Sequence, residues 1–215
     1  MIEEDRMEYS VGDKVMYPNR GVGIVTGVQQ SELVDGFRQY YVIQIPSGGL
    51  TMHVPIEKTD DLGVRPVVSL SRLDRVLDVL SARPRRLPDG FKERQEGIHE
   101  KLRSGRAIQI AEGVRDLSWH EQRAYLTKRD KRQLAEGREF LADEIALATD
   151  SEVTDVHEII EAALAVALAS EADQEAPKRQ VTARADQSLG AQKGQQGLLD
   201  SLRNYAARVL RLSSK

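Results

Sequence analysis

The chain has 215 residues, enough for one or two domains with proper cores. Against 34 Asp and Glu it sets 31 Lys and Arg, a formal net charge of -3, so no global basic field attracts nucleic acid and any such contact must rest on local patches. With no cysteine, disulfides, thiolate catalysis and cysteine-ligated zinc are excluded.

The first residues, MIEEDRMEYS, are charged and lack the apolar stretch of a signal peptide. Residues 11–56 then read as a run of short strands. Val15 to Pro18 is closed by the turn Pro18-Asn19-Arg20-Gly21, and Gly21 to Val28 is a glycine-bearing strand expected to be bent or closely packed. Arg38 to Ile45 alternates, with Tyr41, Ile43 and Ile45 on one face and Tyr40, Val42 and Gln44 on the other. Asp35-Gly36 marks a hairpin tip, and Pro46-Ser47-Gly48-Gly49 turns the chain into a returning strand, Leu50 to Val54. Strands this short and close predict a small twisted barrel of the Tudor or SH3 type. Such a barrel has little room for a ligand and is expected to work through an edge or a face.

Past a short link near Gly63 to Pro66 the periodicity becomes helical. Leu73, Val76, Leu77 and Leu80 share one stripe, with Ser71 and Asp74 as an expected capping box. Arg83 to Pro88 breaks that helix, a second is expected from Asp89 to Arg103 with Gly105 as its stop, and a third covers Ala107 to Leu117. Thr127 and Asp130 open a longer helix with Leu134, Phe140, Leu141, Ile145 and Leu147 on its apolar side. A fifth, Val156 to Leu168, is capped by Ser151 or Thr154. Residues 171–197 lack hydrophobic periodicity and read as a flexible linker. In residues 198–215, Leu198, Leu202, Tyr205, Val209 and Leu212 form an apolar stripe opposite Arg203, Arg208, Arg211 and Lys215. That segment either docks on the bundle or pairs with itself, or it contacts another macromolecule or an anionic surface.

The expected fold is therefore α+β with the two classes segregated. A Tudor/SH3-like β-barrel over 8–66 is followed by an all-α helical bundle over 67–170, a flexible linker and an amphipathic C-terminal helix. The most apolar run, Ala162 to Ala169, is too short to cross a bilayer, so a soluble, cytoplasmic protein is expected, with no membrane partner.

No motif argues for catalysis. Gly21-Val22-Gly23 with Gly27 imitates a dinucleotide fingerprint, but the spacing is off by one and no helix opens after it to cradle phosphate. His157, Glu158 and Glu161 make half a metal site at best, and His99 and His120 stand alone. No cofactor, metal or small-molecule substrate is expected.

Several stretches resemble one family in order along the chain. VGDKVMYP, the GVG after it, QYYVIQIP and TMHVPIEKTDDLGVR resemble the amino-terminal domain of CarD/CdnL-type bacterial transcription regulators. VVSLSRLDRVLDVL, LPDGFKERQEGIHEKLRSG, IAEGVRDL and KRDKRQLAEGREFLADEIALA resemble that family's helical domain, so the likeness spans roughly residues 8–168. The barrel is also similar to the polymerase-interaction module of transcription-repair coupling factors, whose helicase motor this chain lacks.

The resemblance implies a non-enzymatic, two-handed factor. The barrel would extend its sheet onto a lobe of the RNA polymerase β subunit, through Tyr40, Val42, Gln44, Thr51 and His53. The helical domain would touch promoter DNA weakly, without sequence readout, at the upstream edge of the bubble through Phe91, Lys92, Arg94, Lys128, Lys131 and Arg132. Two positions depart from the family pattern. His53 stands where a basic residue is usual, and Phe91 stands where a tryptophan wedge is usual. Glu93 and Glu96 also interrupt the basic run after Phe91, and this favours the alternative of a protein–protein adaptor that binds polymerase without DNA. Either Arg83, Arg85 and Arg86 or the Lys128-Arg129 and Lys131-Arg132 cluster opening the long helix can compensate for the lost charge. Trp119 does not align with the wedge and is read as packed.

Overall fold

The computed structural model describes residues 8–31, 33, 36–175 and 204. The amphipathic segment 198–215, most of the expected linker and the Asp35 hairpin tip lie outside the described residues, Gly36 and Asn204 apart. Strands β1 (Lys14–Tyr17), β2 (Gly21–Gln30), β3 (Gln39–Ile45), β4 (Leu50–Pro55) and β5 (Arg65–Pro66) precede five helices. These are α1 (Leu70–Ser81), α2 (Phe91–Arg103), α3 (Ala107–Arg123), α4 (Lys128–Thr149) and α5 (Val153–Glu175). Strands and helices are segregated, as the α+β reading expects.

The sheet is antiparallel in the order β4-β3-β2-β1-β5, and it does not close into the expected barrel. The reason is local. Strand β5 has only two residues, and Pro66 carries no N–H with which to continue a ladder. One face packs Val15, Val25, Tyr41, Ile43, Ile45 and Val54 into a core. Tyr9 closes one end of it, its hydroxyl donating to the Val64 carbonyl at 3.0 Å while its amide donates to the Tyr41 hydroxyl at 2.9 Å. Burial, helped by the nearby Asp60 carboxylate, pushes the Tyr9 hydroxyl up to about 12. Gly23 of β2 is required by close approach, since a Cβ there would lie 2.7 Å from the Gln44 carbonyl oxygen across the sheet, and the strand bulges between Val25 and Gly27.

In the helical layer, Leu73, Val76, Leu77 and Leu80 face the core as their spacing predicts, and so do Leu134, Leu141 and Ile145 of α4. Each such side chain, fully buried, is worth about 1.5–3 kcal/mol. The helix ends are less uniform. Thr127 and Asp130, expected to open α4, do so through a capping box, and Gly105 takes the left-handed conformation (φ 63°) beyond α2. The Ser71–Asp74 box is absent; Ser69 is the N-cap and makes no side-chain capping bond. Helix α3 runs past Leu117 to Arg123, and α5 starts at Val153 and reaches Glu175, into the stretch expected to be linker.

Sheet and helices meet around one buried ion pair. Arg65 of β5 donates from Nη1 to Glu144 Oε1 (2.6 Å) and from Nη2 to Oε2 (3.0 Å), and the Glu144 side chain is fully buried. Arg65 Nε also donates to the Gly105 carbonyl (2.9 Å), and the Val68 amide donates to Glu144 Oε1 (2.8 Å). Pro18 wedges in beside this node; a Cβ at Gly105 would lie 3.1 Å from its Cγ. A second bridge, Lys14 to Asp150 at 2.5 Å, ties β1 to the residue after α4.

Arg65→Ala leaves the Glu144 carboxylate buried with only the Val68 amide as partner, whereas Glu144→Gln keeps a polar group there. Removing one partner of a buried pair costs about 3–5 kcal/mol. Urea unfolding should therefore find Arg65→Ala the more damaging substitution, with a loss of roughly that size, and a loss below about 1 kcal/mol would contradict the joint described here.

Candidate functional site

Two surfaces collect the candidate residues. The first is the outer face of the sheet at its β4 edge. Register pairs Val42 with His53 and Gln44 with Thr51, so these four side chains share one face, opposite the core residues Tyr41, Ile43 and Val54. Gln44, Thr51 and His53 are exposed and Val42 is half-buried. Tyr40 departs from the expectation. It is only 1% exposed, set between Gln29 and Pro55 in the register, with its hydroxyl 3.4 Å from the Phe37 carbonyl. It supports the face from within and is not a surface contact. Because β3 is paired on both sides, the free main-chain groups belong to β4, the terminal strand of the sheet.

The second surface lies where the first turns of α2 and α4 meet. Arg94, expected as a DNA contact, is corrected to an internal strut: it is 4% exposed and buried against α4. Its Nη2 donates to Asp130 Oδ2 at 2.9 Å, and its Nη1 donates to the carbonyls of Pro88 (3.1 Å) and Asp89 (3.3 Å). Asp130 Oδ2 also accepts from the Thr127 amide and hydroxyl, both at 2.9 Å. Burial alone would push the Asp130 carboxyl up, but the Arg94 and Thr127 bonds together hold it below the usual carboxylate range. Two amide bonds reinforce the clamp, from Gln95 Nε2 to the Thr127 hydroxyl (2.8 Å) and from Gln133 Nε2 to the Gln95 carbonyl (3.0 Å). His120 lies against the same network and is held below its ordinary value by burial and by the Arg94 charge.

The clamp fixes the loop Pro88-Asp89-Gly90 and thereby the residue that follows it. Phe91 opens α2 with 54% of its surface exposed. Lys92, Lys128, Arg129, Lys131 and Arg132 are exposed on the two first turns, and so are Glu93 and Glu96. The aromatic residue and the basic cluster, 37 positions apart in sequence, are thus brought to one region by a pair that neither motif reveals. The helix start at Thr127 and Asp130 was legible in the sequence, but the partner of the Asp130 carboxylate was not.

Arg83, Arg85 and Arg86 are also exposed, on the segment between α1 and α2. That segment is pinned from below, since the Arg85 amide donates to Asp116 Oδ1 at 2.9 Å. Trp119 is half-buried, with the Arg123 guanidinium 4.7 Å from its ring centroid. His157 lies 3.7 Å from Glu139 on the neighbouring helix, and no group of three or more potential metal ligands gathers among the described residues. No helix among them is long and apolar enough to cross a membrane.

Two family models match the chain. Residues 9–68 match the family model of the CarD-like/TRCF RID domain, and residues 75–161 match that of the CarD C-terminal domain. The chain is 29% identical over 139 residues to YdeB of Bacillus subtilis (strain 168), named as a candidate transcription factor; the match covers 64% of this chain and 90% of that protein.

The depressed Asp130 carboxyl makes the clamp sensitive to acid. Its contribution is fully present above the ordinary carboxylate value and is lost as pH falls through the lower folded value. In urea unfolding, Asp130→Asn should be clearly less stable than wild type at pH 7, and the gap should hold down to the ordinary carboxylate value of 3.8 and shrink only as pH falls below it. A gap independent of pH would contradict a charged clamp.

Proposed function

Since the chain belongs to the CarD family, we propose that it is a transcription regulator that bridges RNA polymerase and promoter DNA. The β4 edge would add its strand to a lobe of the polymerase β subunit, with Gln44, Thr51 and His53 choosing the partner and Val42 packing beside them. Phe91 would wedge at the upstream edge of the melted bubble while Lys92, Lys128, Lys131 and Arg132 attract phosphates.

The observation that carries this reading is the exposed Phe91 held beside a basic helix start by the buried Arg94–Asp130 pair. A phenylalanine left half in water yet fixed by its surroundings suits a wedge, because the cost of ordering it is already met. Anchored to polymerase, even a weak wedge acts at high local concentration. Binding the open fork better than closed duplex shifts the equilibrium towards the open complex. A second reading, a protein adaptor without DNA contact, is favoured by Glu93 and Glu96, exposed in the same first turns of α2.

Open-complex lifetime on purified polymerase separates the two. Phe91→Ala should shorten the lifetime roughly five-fold or more, the scale of one lost aromatic–base contact, while polymerase co-purification stays unchanged. Equal lifetimes for mutant and wild type would remove Phe91 from the mechanism. Polymerase binding with no effect of the wild-type chain on lifetime would favour the adaptor.

A further inference from the structure

Tyr125, in the turn between α3 and α4, is 81% exposed, more than any other large apolar side chain in the described residues. Single exposed rings are common, so exposure alone means little. What distinguishes Tyr125 is the rigidity and charge of its setting. Ala124 ends α3 in an extended conformation (φ -148°), Leu126 is buried in the helical core at 2% exposure, and Thr127 caps α4. With its neighbours fixed on both sides, the ring is held out from the surface.

Along the segment that carries it, the exposed charge is of one sign, the nearest exposed acid in sequence being Glu121 in the last turns of α3. Between residues 122 and 135 the only carboxylate is Asp130, and the capping box and Arg94 hold it inward at 0% exposure. The same turns therefore present only cations outward: Arg123, Lys128, Arg129, Lys131 and Arg132. Lys131 Nζ already lies 5.7 Å from the Tyr125 ring centroid, at the range of a cation–π contact. An exposed aromatic ring set among cations, with no exposed acid between, has the chemistry of a stacking platform for unpaired bases.

We infer that Tyr125 stacks on an unpaired nucleobase of a strand whose phosphates are held by Lys128, Lys131 and Arg132, as a second aromatic contact besides Phe91. This rests on the DNA-contacting reading above and deepens it by assigning to Tyr125 a separate hold on the unpaired strand.

The test uses the full chain, a labelled fork with a single-stranded arm and the matching duplex, at low salt. Tyr125→Ala should weaken fork binding roughly five- to hundred-fold while changing duplex binding less than about two-fold, and Tyr125→Phe should bind the fork as wild type does. 2-Aminopurine in the arm should be quenched by wild type and Tyr125→Phe but not by Tyr125→Ala. The melting temperature of Tyr125→Ala should match that of wild type, since the side chain lies outside the core. Wild-type fork affinity in Tyr125→Ala, with Phe91→Ala still impaired, would overturn the Tyr125 platform alone. Equal loss on fork and duplex would overturn stacking, and failure of the wild-type chain to bind either DNA would overturn the DNA-contacting reading with it.

Discussion

The Arg65–Glu144 pair is the interaction on which the rest of the arrangement depends. Strand β5 is too short to hold a sheet edge by hydrogen bonds, yet its arginine reaches into the helical layer and engages both oxygens of a carboxylate with no exposure to solvent. A bidentate guanidinium fixes direction as well as distance. The same side chain grips the carbonyl of Gly105 at the end of α2, and Glu144 receives the Val68 amide just before α1. One node thus sets sheet, link, α2 and α4 against one another. Buried pairs are poor sources of net stability but good sources of geometric specificity, and that is the use suggested for this one.

A second buried pair repeats the device within the helical layer. Arg94 and Asp130 join the starts of α2 and α4 and lend their main structural effect to residues that touch neither of them. Phe91, Tyr125 and the basic side chains of α4 are all exposed, and exposed side chains are ordered only as well as the backbone beneath them. The candidate surface is polar and aromatic, while its placement comes from a pair, Arg94 and Asp130, almost wholly shielded from solvent.

Much of this could be read from the sequence because it is local. Alternation marked Tyr41, Ile43 and Ile45 as core, helical spacing marked the stripes of α1 and α4, and Thr127, Asp130 and Gly105 announced helix ends through near-neighbour chemistry. What escaped was set by long-range partners. Arg94 looked like a surface cation because its carboxylate lies 36 positions away, and Tyr40 looked outward by alternation but is buried on the sheet's outer side. The barrel was expected to close because strand count does not reveal that the fifth strand stops at a proline after two residues. A single tyrosine between helices carries no periodic signal, so the exposure of Tyr125 is visible only in the structure.

A bridge differs from two tethered modules in that its two faces keep one separation. The chain has no cysteine, so spin labels can be placed singly through Thr51→Cys on β4 and Arg129→Cys at the start of α4, both exposed. Their distance distribution by pulsed electron resonance tests the joint directly. One narrow distribution that broadens in Glu144→Gln is the predicted result. A broad distribution in the wild-type background, or a narrow one indifferent to Glu144→Gln, would contradict the claim that the Arg65–Glu144 pair fixes the two faces.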